Sequence, residues 1–119
     1  MEMKELEFHQ ITLADKAWMD TLFAQDNRNA CEYTFANNFI WRNVYQVEVV
    51  QTDGCGVIRF MESGKYQYSY PMGAGDKKAV IEKLLFLCHK ENQSLIMSPL
   101  SERDRKELME WYPGRFFVW

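Results

Sequence analysis

The sequence has no apolar run long enough to cross a membrane and no recognisable leader. A membrane-spanning helix needs about 18 apolar residues in succession, and no segment of the 119 residues approaches that length. The first residues, MEMKELEF, are acidic and polar, whereas a secretion signal is basic and then apolar. These absences predict a cytoplasmic protein without a membrane span.

Cysteine and histidine are scarce, and positive charge is not in excess. Cys31, Cys55 and Cys88 are odd in number and far apart, which predicts buried thiols instead of a disulfide framework. His9 and His89 complete no C-x-x-C or H-x-x-x-H spacing, so we predict no metal site. The net charge of -3 and the pI of about 5.4 give no general attraction to nucleic acid or anionic lipid. Nucleic-acid binding by this chain alone is therefore not expected, and any phosphate site must be local.

What the sequence does contain is the composition of a folded domain. It is 47% hydrophobic and 15% aromatic, against 26% charged. A chain of this length and composition buries enough apolar surface for one core. We therefore predict a single domain over residues 1–119.

The hydrophobic pattern predicts an α+β domain with the element order β-α-α-β-β-β-α-β-α-β. The predicted strands cover residues 5–10, 46–51, 56–62, 65–70, 95–97 and 115–119, and the predicted helices cover residues 13–25, 35–44, 77–91 and 102–112. Turns at Asp53-Gly54 and Ser63-Gly64 make the middle strands antiparallel. The helix between strands 65–70 and 95–97 is a crossover that makes those two strands parallel. We expect a mixed, mostly antiparallel sheet with helices on both faces, in three αβα layers.

Four separated motifs carry a resemblance to a known superfamily. They are CEYTFANNFIW at residues 31–41, GKY at 64–66, PMGAGD at 71–76 and YPGRF at 112–116. Together with the element order, they resemble the GNAT acyltransferases. Within that superfamily, the chain looks like the N-terminal half of an uncharacterised bacterial family whose other half is related to the C-terminal domain of phosphatidylglycerol lysyltransferase.

The resemblance implies two GNAT-like domains in tandem. The group includes enzymes that transfer aminoacyl groups from charged tRNA to lipids or peptidoglycan precursors. This chain is then expected to be one half of a longer protein and to meet a second GNAT-like domain. If that half is missing, the apolar C-terminal edge at residues 116–119 predicts self-association.

The glycine loop, residues 73–76, and the helix start after it have two open interpretations. In the first, Gly73, Ala74 and Gly75 let the backbone approach a ligand, and Lys77 and Lys78 join the free amides of the helix start to hold phosphate. The resemblance implies either a coenzyme A thioester or an aminoacyl-tRNA as the donor.

In the second interpretation the loop only turns the chain. Asp76 is a good N-cap, so its carboxylate can occupy the same amides and repel a phosphate. The cofactor signature of the superfamily also begins with Arg or Gln three residues before the first glycine, where this chain has Tyr70.

The second predicted helix is rich in asparagine, which is a poor helix former. Tyr33, Asn37 and Trp41 are candidates for binding the amide or carboxylate of a substrate. The other interpretation is that at least one of Asn37, Asn38 and Asn43 is buried and fixes the helix to a neighbouring loop.

Tyr70 is a candidate proton donor to a leaving group, as a tyrosine is in some GNAT enzymes. The alternative is that it packs in the core, because Tyr66, Tyr68 and Tyr70 alternate along one strand face. Two functions follow from these open choices. One is a half of an acyl or aminoacyl transferase, and the other is a non-catalytic half that docks a second domain or binds a ligand.

Overall fold

Four antiparallel strands and four α-helices build the described part of the chain, in a computed structural model that describes residues 6–26, 35–98 and 100–114. The strands are β1 (His9–Gln10), β2 (Glu48–Thr52), β3 (Cys55–Glu62) and β4 (Lys65–Tyr68). The helices are α1 (Lys16–Asp26), α2 (Phe35–Ile40), α3 (Lys77–Lys90) and α4 (Glu102–Trp111), and a short 3-10 helix (Leu13–Asp15) precedes α1. The sheet order is β1-β2-β3-β4 with every neighbouring pair antiparallel. The predicted α+β class is confirmed.

The two predicted hairpin turns are present. Thr52 pairs with Cys55, so the turn between β2 and β3 has only two central residues, Asp53 and Gly54, both at positive φ of 52° and 75°. A two-residue hairpin turn of type I′ requires positive φ at both central residues, and its backbone twist matches the right-handed twist of the two strands that it joins. The turn between β3 and β4 repeats this geometry.

Strand β4 ends two residues earlier than predicted because Ser69 interrupts its ladder with β3. The Ser69 hydroxyl accepts the Ile58 N–H at 2.9 Å, and the Ser69 N–H donates to the Ile58 carbonyl at 2.7 Å. Backbone pairing with β3 resumes only between Gly56 and Met72. As a result Tyr68 and Tyr70 belong to different core clusters, although their spacing placed them on one strand face.

The predicted strand at residues 95–97 is reduced to one parallel bridge between Tyr68 and Met97. The Tyr68 N–H donates to the Ile96 carbonyl and the Ser98 N–H donates to the Tyr68 carbonyl, both at 2.9 Å. The neighbour and its direction agree with the crossover prediction, but the predicted element order is not confirmed. The last predicted strand, at residues 115–119, lies outside the described residues.

Helix α2 ends at Ile40, four residues before the predicted end. The chain then forms turns, in which the Tyr45 N–H donates to the Trp41 carbonyl at 3.0 Å and Gln46 has a φ of 49°. Asn38 is buried, which confirms that at least one asparagine of this helix lies inside.

The core consists of three groups of buried side chains. One group joins α1 and α2 to β2 and β3, and contains Ile11, Met19, Phe23, Phe35, Val47, Val49, Ile58 and Met72. A second joins α3 to the sheet, and contains Val50, Cys55, Val57, Tyr68, Val80, Leu84 and Cys88. A third joins α3 to α4, and contains Tyr70, Ile81, Leu108 and Tyr112. Helices α3 and α4 therefore pack together over the end of β4.

Cys55 and Cys88 are buried thiols as predicted, and Cys31 lies outside the described residues. Within the described ranges, each helix is too short or too polar to cross a bilayer. In the same ranges, no three His, Cys, Asp or Glu side chains come together as metal ligands do.

Candidate functional site

The glycine loop packs against the turn between β2 and β3. A Cβ at Gly75 would overlap the Asp53 carbonyl oxygen and lie 2.6 Å from the Gly54 carbonyl carbon. A Cβ at Gly73, whose φ is +113°, would lie 2.7 Å from the Leu22 side chain. Both glycines are therefore required by close approach to other parts of the protein.

Several backbone amides of this loop and of the first turn of α3 already have protein acceptors. The Ala74 N–H donates to the Gln25 side chain at 3.0 Å, and the Asp76 N–H donates to the Asp53 carbonyl at 3.0 Å. The Asp76 carboxylate accepts the Ala79 N–H at 3.1 Å, which confirms Asp76 as the N-cap of α3. These three amides are therefore already engaged within the protein.

A groove of about 440 Å³ opens between the glycine loop, the first turn of α3 and one face of α4. Its lining residues are Gln25, Gly73, Ala74, Gly75, Asp76, Lys77, Lys78, Arg103, Glu107 and Trp111. All five residues predicted as cofactor contacts, Gly73, Ala74, Gly75, Lys77 and Lys78, line this one groove. Three cationic side chains from two helices face the same space.

Tyr70 lies beneath the wall of the groove. Its side chain is fully buried, and its hydroxyl donates to Glu107 Oε1 at 2.9 Å. Lys77 Nζ lies 5.8 Å from the centroid of the Tyr70 ring. The candidate phenol is thus joined to the groove through Glu107.

Sequence reasoning did not find the contribution of α4. None of the residues that α4 contributes to the groove is among the site residues predicted from the sequence. Arg103, Glu107 and Trp111 recur at intervals of four, which places them along one face of a helix. That spacing indicates that the three side chains share one face of α4. It does not indicate that this face lies beside the glycine loop, because the position of α4 depends on tertiary packing.

Two local devices hold α4 in place. Its N-terminus carries a capping box, in which the Ser101 hydroxyl accepts the Asp104 N–H at 3.1 Å and the Ser101 N–H donates to the Asp104 carboxylate at 3.0 Å. At its other end, the Tyr112 hydroxyl donates to Glu82 Oε1 on α3 at 2.6 Å. The groove is consequently built between two helices with a fixed relative position.

The predicted substrate residues do not join this groove in the described part of the chain. Tyr33 lies outside the described residues, and Asn37 is placed in α2 without a described side chain. Trp41 is 45% exposed, and its ring lies 5.9 Å from that of Tyr45. Trp41 belongs to a separate, apolar surface formed with Ile40, Val44 and Tyr45, which we call the 40–45 surface.

A His–Asp pair near the N-terminus has a structural explanation. Asp15 is buried, accepts the Thr12 N–H and the Trp18 Nε1–H at 2.9 Å, and lies 2.9 Å from His9 Nε2. Burial raises the pKa of Asp15, but the hydrogen bonds from Thr12, His9 and Trp18 outweigh it and lower the pKa below its ordinary value. This carboxylate joins the N-terminal strand to α1.

The half-buried cluster around Arg59 is also structural. Arg59 forms an ion pair of 2.6 Å with Glu48. Burial is the main cause that raises the pKa of Tyr68 to about 12, and burial also raises the pKa of the Cys88 thiol.

The protein is thus an α+β domain with a charged groove at the start of α3. Comparison with known proteins gives its family. Residues 23–117 match the family described as phosphatidylglycerol lysyltransferase, C-terminal. The chain belongs to that family. The match lies on this chain itself, whereas the sequence resemblance placed the lysyltransferase relation on a second half.

A solved structure supports the fold. The crystal structure of a conserved protein of unknown function from Bacteroides thetaiotaomicron VPI-5482 has a TM-score of 0.88 to this chain at 30% sequence identity. The likeness covers 94% of this chain and 38% of that one, so this chain spans well under half the length of its structural relative. Among curated proteins, none matches the chain.

Proposed function

We propose that this domain is a GNAT-like part of an acyl or aminoacyl transferase, and that the groove binds the phosphate of its donor. The observation that carries the proposal is the convergence of Lys77, Lys78 and Arg103 on one groove at the start of α3. The helix adds about half a positive charge at that end. Membership of the lysyltransferase family supports the same reaction class.

The proposed mode of phosphate binding relies on side chains. Because the amides of Ala74, Asp76 and Ala79 donate within the protein, they contribute little to a ligand. Lys77 and Lys78 come from the first turn of α3 and Arg103 from the first turn of α4, so they approach a phosphate from two sides. Coenzyme A thioester and aminoacyl-tRNA both carry the phosphates that such a site requires.

The chemistry proposed for such a transferase is positioning of an amine and removal of its proton, without a protein nucleophile. Tyr70 and Glu107 are a hydrogen-bonded titratable pair, and Glu107 lines the groove together with the three cationic side chains. Since the Tyr70 hydroxyl donates to Glu107, we propose that Tyr70 acts on a leaving group only through that carboxylate.

Thermal unfolding with coenzyme A, acetyl-coenzyme A or pyrophosphate tests the donor site. A ligand at 100 times its dissociation constant adds about 2.7 kcal/mol to the free energy of unfolding. For a domain of this size we expect a rise in Tm on the order of 10 °C. An unchanged Tm with all three at millimolar concentration contradicts the site.

Matched variants locate the binding. Replacing Lys77, Lys78 and Arg103 by Ala is expected to remove most of the ligand-induced rise in Tm. Lys106→Ala is the control, because Lys106 is exposed on α4 outside the groove. Equal losses in the triple variant and in the control mean that the response is not specific to the groove.

The 40–45 surface favours a second function, a docking module for another domain of the same polypeptide. Ile40 and Val44 are 69% and 65% exposed, and Trp41 and Tyr45 are 45% and 42% exposed. These four side chains present on the order of 400 Å² of apolar surface, in the range that marks interaction sites.

The area favours a covalently linked domain over a second copy of this chain. A symmetric dimer through this surface alone buries on the order of 800 Å² in total, below the roughly 1,200 Å² of stable interfaces. Interfaces between domains of one chain run from about 600 to 1,500 Å². The greater length of the Bacteroides relative is consistent with such a domain.

Hydrogen exchange tests the docking function. The 119-residue chain is compared with the full product of the reading frame that contains it. Slower exchange at residues 40–46 in the longer product supports docking. Equal exchange, or protection that depends on the concentration of the 119-residue chain, contradicts it, and the second result indicates self-association.

A further inference from the structure

Glu107 places a carboxylate among the three cationic side chains of the groove. We propose that the groove recognises a phosphorylated primary amine, with Glu107 as the residue that binds the ammonium group. The inference rests on the proposed phosphate-binding side chains and assigns them to an amine-bearing acceptor of the transfer, whereas the proposed function assigns them to the phosphate of the donor.

The position of Glu107 is fixed by a buried partner. Tyr70 is fully buried and donates its hydroxyl to Glu107 Oε1 at 2.9 Å, so one carboxylate oxygen is anchored from inside the protein. A carboxylate has about four lone-pair sites, and this bond uses one of them. The anchored carboxylate therefore retains the capacity to accept hydrogen bonds from a ligand ammonium.

Electrostatics argues for a cationic group on the ligand. A groove that binds phosphate alone is weakened by a carboxylate, because like charges repel at short range. The anchored Glu107 is then unfavourable for a simple phosphate and favourable for a phosphate ligand that also carries an ammonium.

Spacing limits the class of ligand. Arg103 and Glu107 are four residues apart on α4, and side chains at that spacing have Cβ atoms about 6 Å apart on a helix face. A ligand that meets both needs its ammonium and phosphate separated by a short linker. Phosphoethanolamine has this form, either free or as a lipid headgroup.

Two probes that differ only in the amine test the inference. O-phosphoethanolamine and ethyl phosphate are titrated into the isotopically labelled chain at pH 7 and constant ionic strength, and binding is followed by amide NMR shifts. We expect phosphoethanolamine to bind about fivefold more tightly, since a half-exposed ion pair contributes modestly. Glu107→Gln keeps an oxygen for Tyr70 and is expected to remove this preference while leaving ethyl phosphate binding the same or tighter.

Glu110→Gln is the control, because Glu110 is an exposed acid on α4 that does not line the groove. It is expected to keep the fivefold preference. Equal binding of the two probes by the unaltered chain overturns the amine inference and leaves the phosphate site standing. An undiminished preference in Glu107→Gln also overturns it. If neither probe binds, the phosphate site fails and the inference fails with it.

Vesicles separate the two sources of the ligand. Cosedimentation is measured with vesicles of phosphatidylcholine alone and with an equal mixture of phosphatidylcholine and phosphatidylethanolamine. Binding only to the mixture supports a lipid headgroup. Binding of free phosphoethanolamine without vesicle binding supports a soluble phosphorylated amine.

Discussion

The glycine loop at residues 73–76 and the turn at residues 41–46 both join a helix to the sheet region, but they present different groups to solvent. The loop is fixed from inside, since Asp53 and Gln25 accept its amides. The turn has bonds within its own backbone, such as that from the Tyr45 N–H to the Trp41 carbonyl, and one bond to β3, in which the Met61 N–H donates to the Tyr45 carbonyl at 2.7 Å. The loop presents polar and charged groups over a groove, and the turn presents apolar side chains to solvent. Rigid polar geometry suits a small ligand, and an exposed apolar surface suits a protein partner.

The largest effect is expected from Gly75→Ala in the fixed loop. The new Cβ meets backbone atoms of Asp53 and Gly54, which cannot move without breaking the hairpin turn. We expect a loss of about 3 kcal/mol in the free energy of unfolding, measured by urea denaturation. Gly64→Ala is the control, because nothing lies near its Cβ and only the φ of +80° is unfavourable, which costs about 1 kcal/mol. Equal losses would show that the loop is not tightly packed.

A smaller effect is expected from Tyr70→Phe beneath the groove. The change removes a hydrogen bond to a carboxylate that remains half-buried, and such bonds contribute about 1.5 kcal/mol. The matched variant in the apolar turn is Tyr45→Phe, whose ring is 42% exposed, and we expect a change below about 0.5 kcal/mol. Urea denaturation at pH 7 measures both. Equal losses in the two variants would contradict the expectation that the Tyr70 hydroxyl contributes more to stability than the Tyr45 hydroxyl.

The hairpin turn that supports the loop gives a pH-dependent prediction. The hydrogen bond from Lys83 is the main cause that lowers the pKa of Asp53 below its ordinary value of 3.8, and the two side chains lie 2.6 Å apart. A carboxyl whose pKa is lower in the folded state stabilises the fold above its unfolded pKa and loses that effect as pH falls through its folded pKa. Because the Asp53 side chain is 33% exposed, screening limits the contribution to about 0.5 kcal/mol.

Asp53→Asn is therefore expected to lower the free energy of unfolding by about 0.5 kcal/mol at pH 7. The difference from the unaltered chain is expected to shrink as pH falls below 3.8, and to shrink also at 1 M salt. Urea denaturation at several pH values measures this. A difference that stays constant down to pH 2 contradicts the role assigned to this ion pair.

Features that depend only on residues adjacent in the sequence were predictable from the sequence. The caps at Asp76 and Ser101 and the turn at Asp53-Gly54 follow from local hydrogen bonding and backbone preference, and each is present. The end of β4 was not predictable, because the Ser69 hydroxyl replaces a ladder bond only when Ile58 lies opposite it.

The candidate site shows the same division. Local sequence identified the glycines and lysines, which lie together in the groove. It did not identify Glu107, because a charged helix of this composition is usually solvated on that face. Its role depends on Tyr70, which is 37 residues away in the sequence, and no spacing rule connects the two.

The smallest effect on stability is expected in the 40–45 surface. Ile40→Ser combined with Val44→Ser removes two side chains that are 69% and 65% exposed, so little buried contact is lost. We expect the free energy of unfolding of the 119-residue chain to change by less than about 0.5 kcal/mol. If another domain covers this surface, the same pair of changes in the longer product is expected to cost about 2 kcal/mol, because each aliphatic side chain then leaves a buried contact. Urea denaturation of both chains, with and without the two changes, measures the difference. A large loss in the 119-residue chain itself would mean that this surface is part of the domain's own core, and would remove the contrast with the glycine loop.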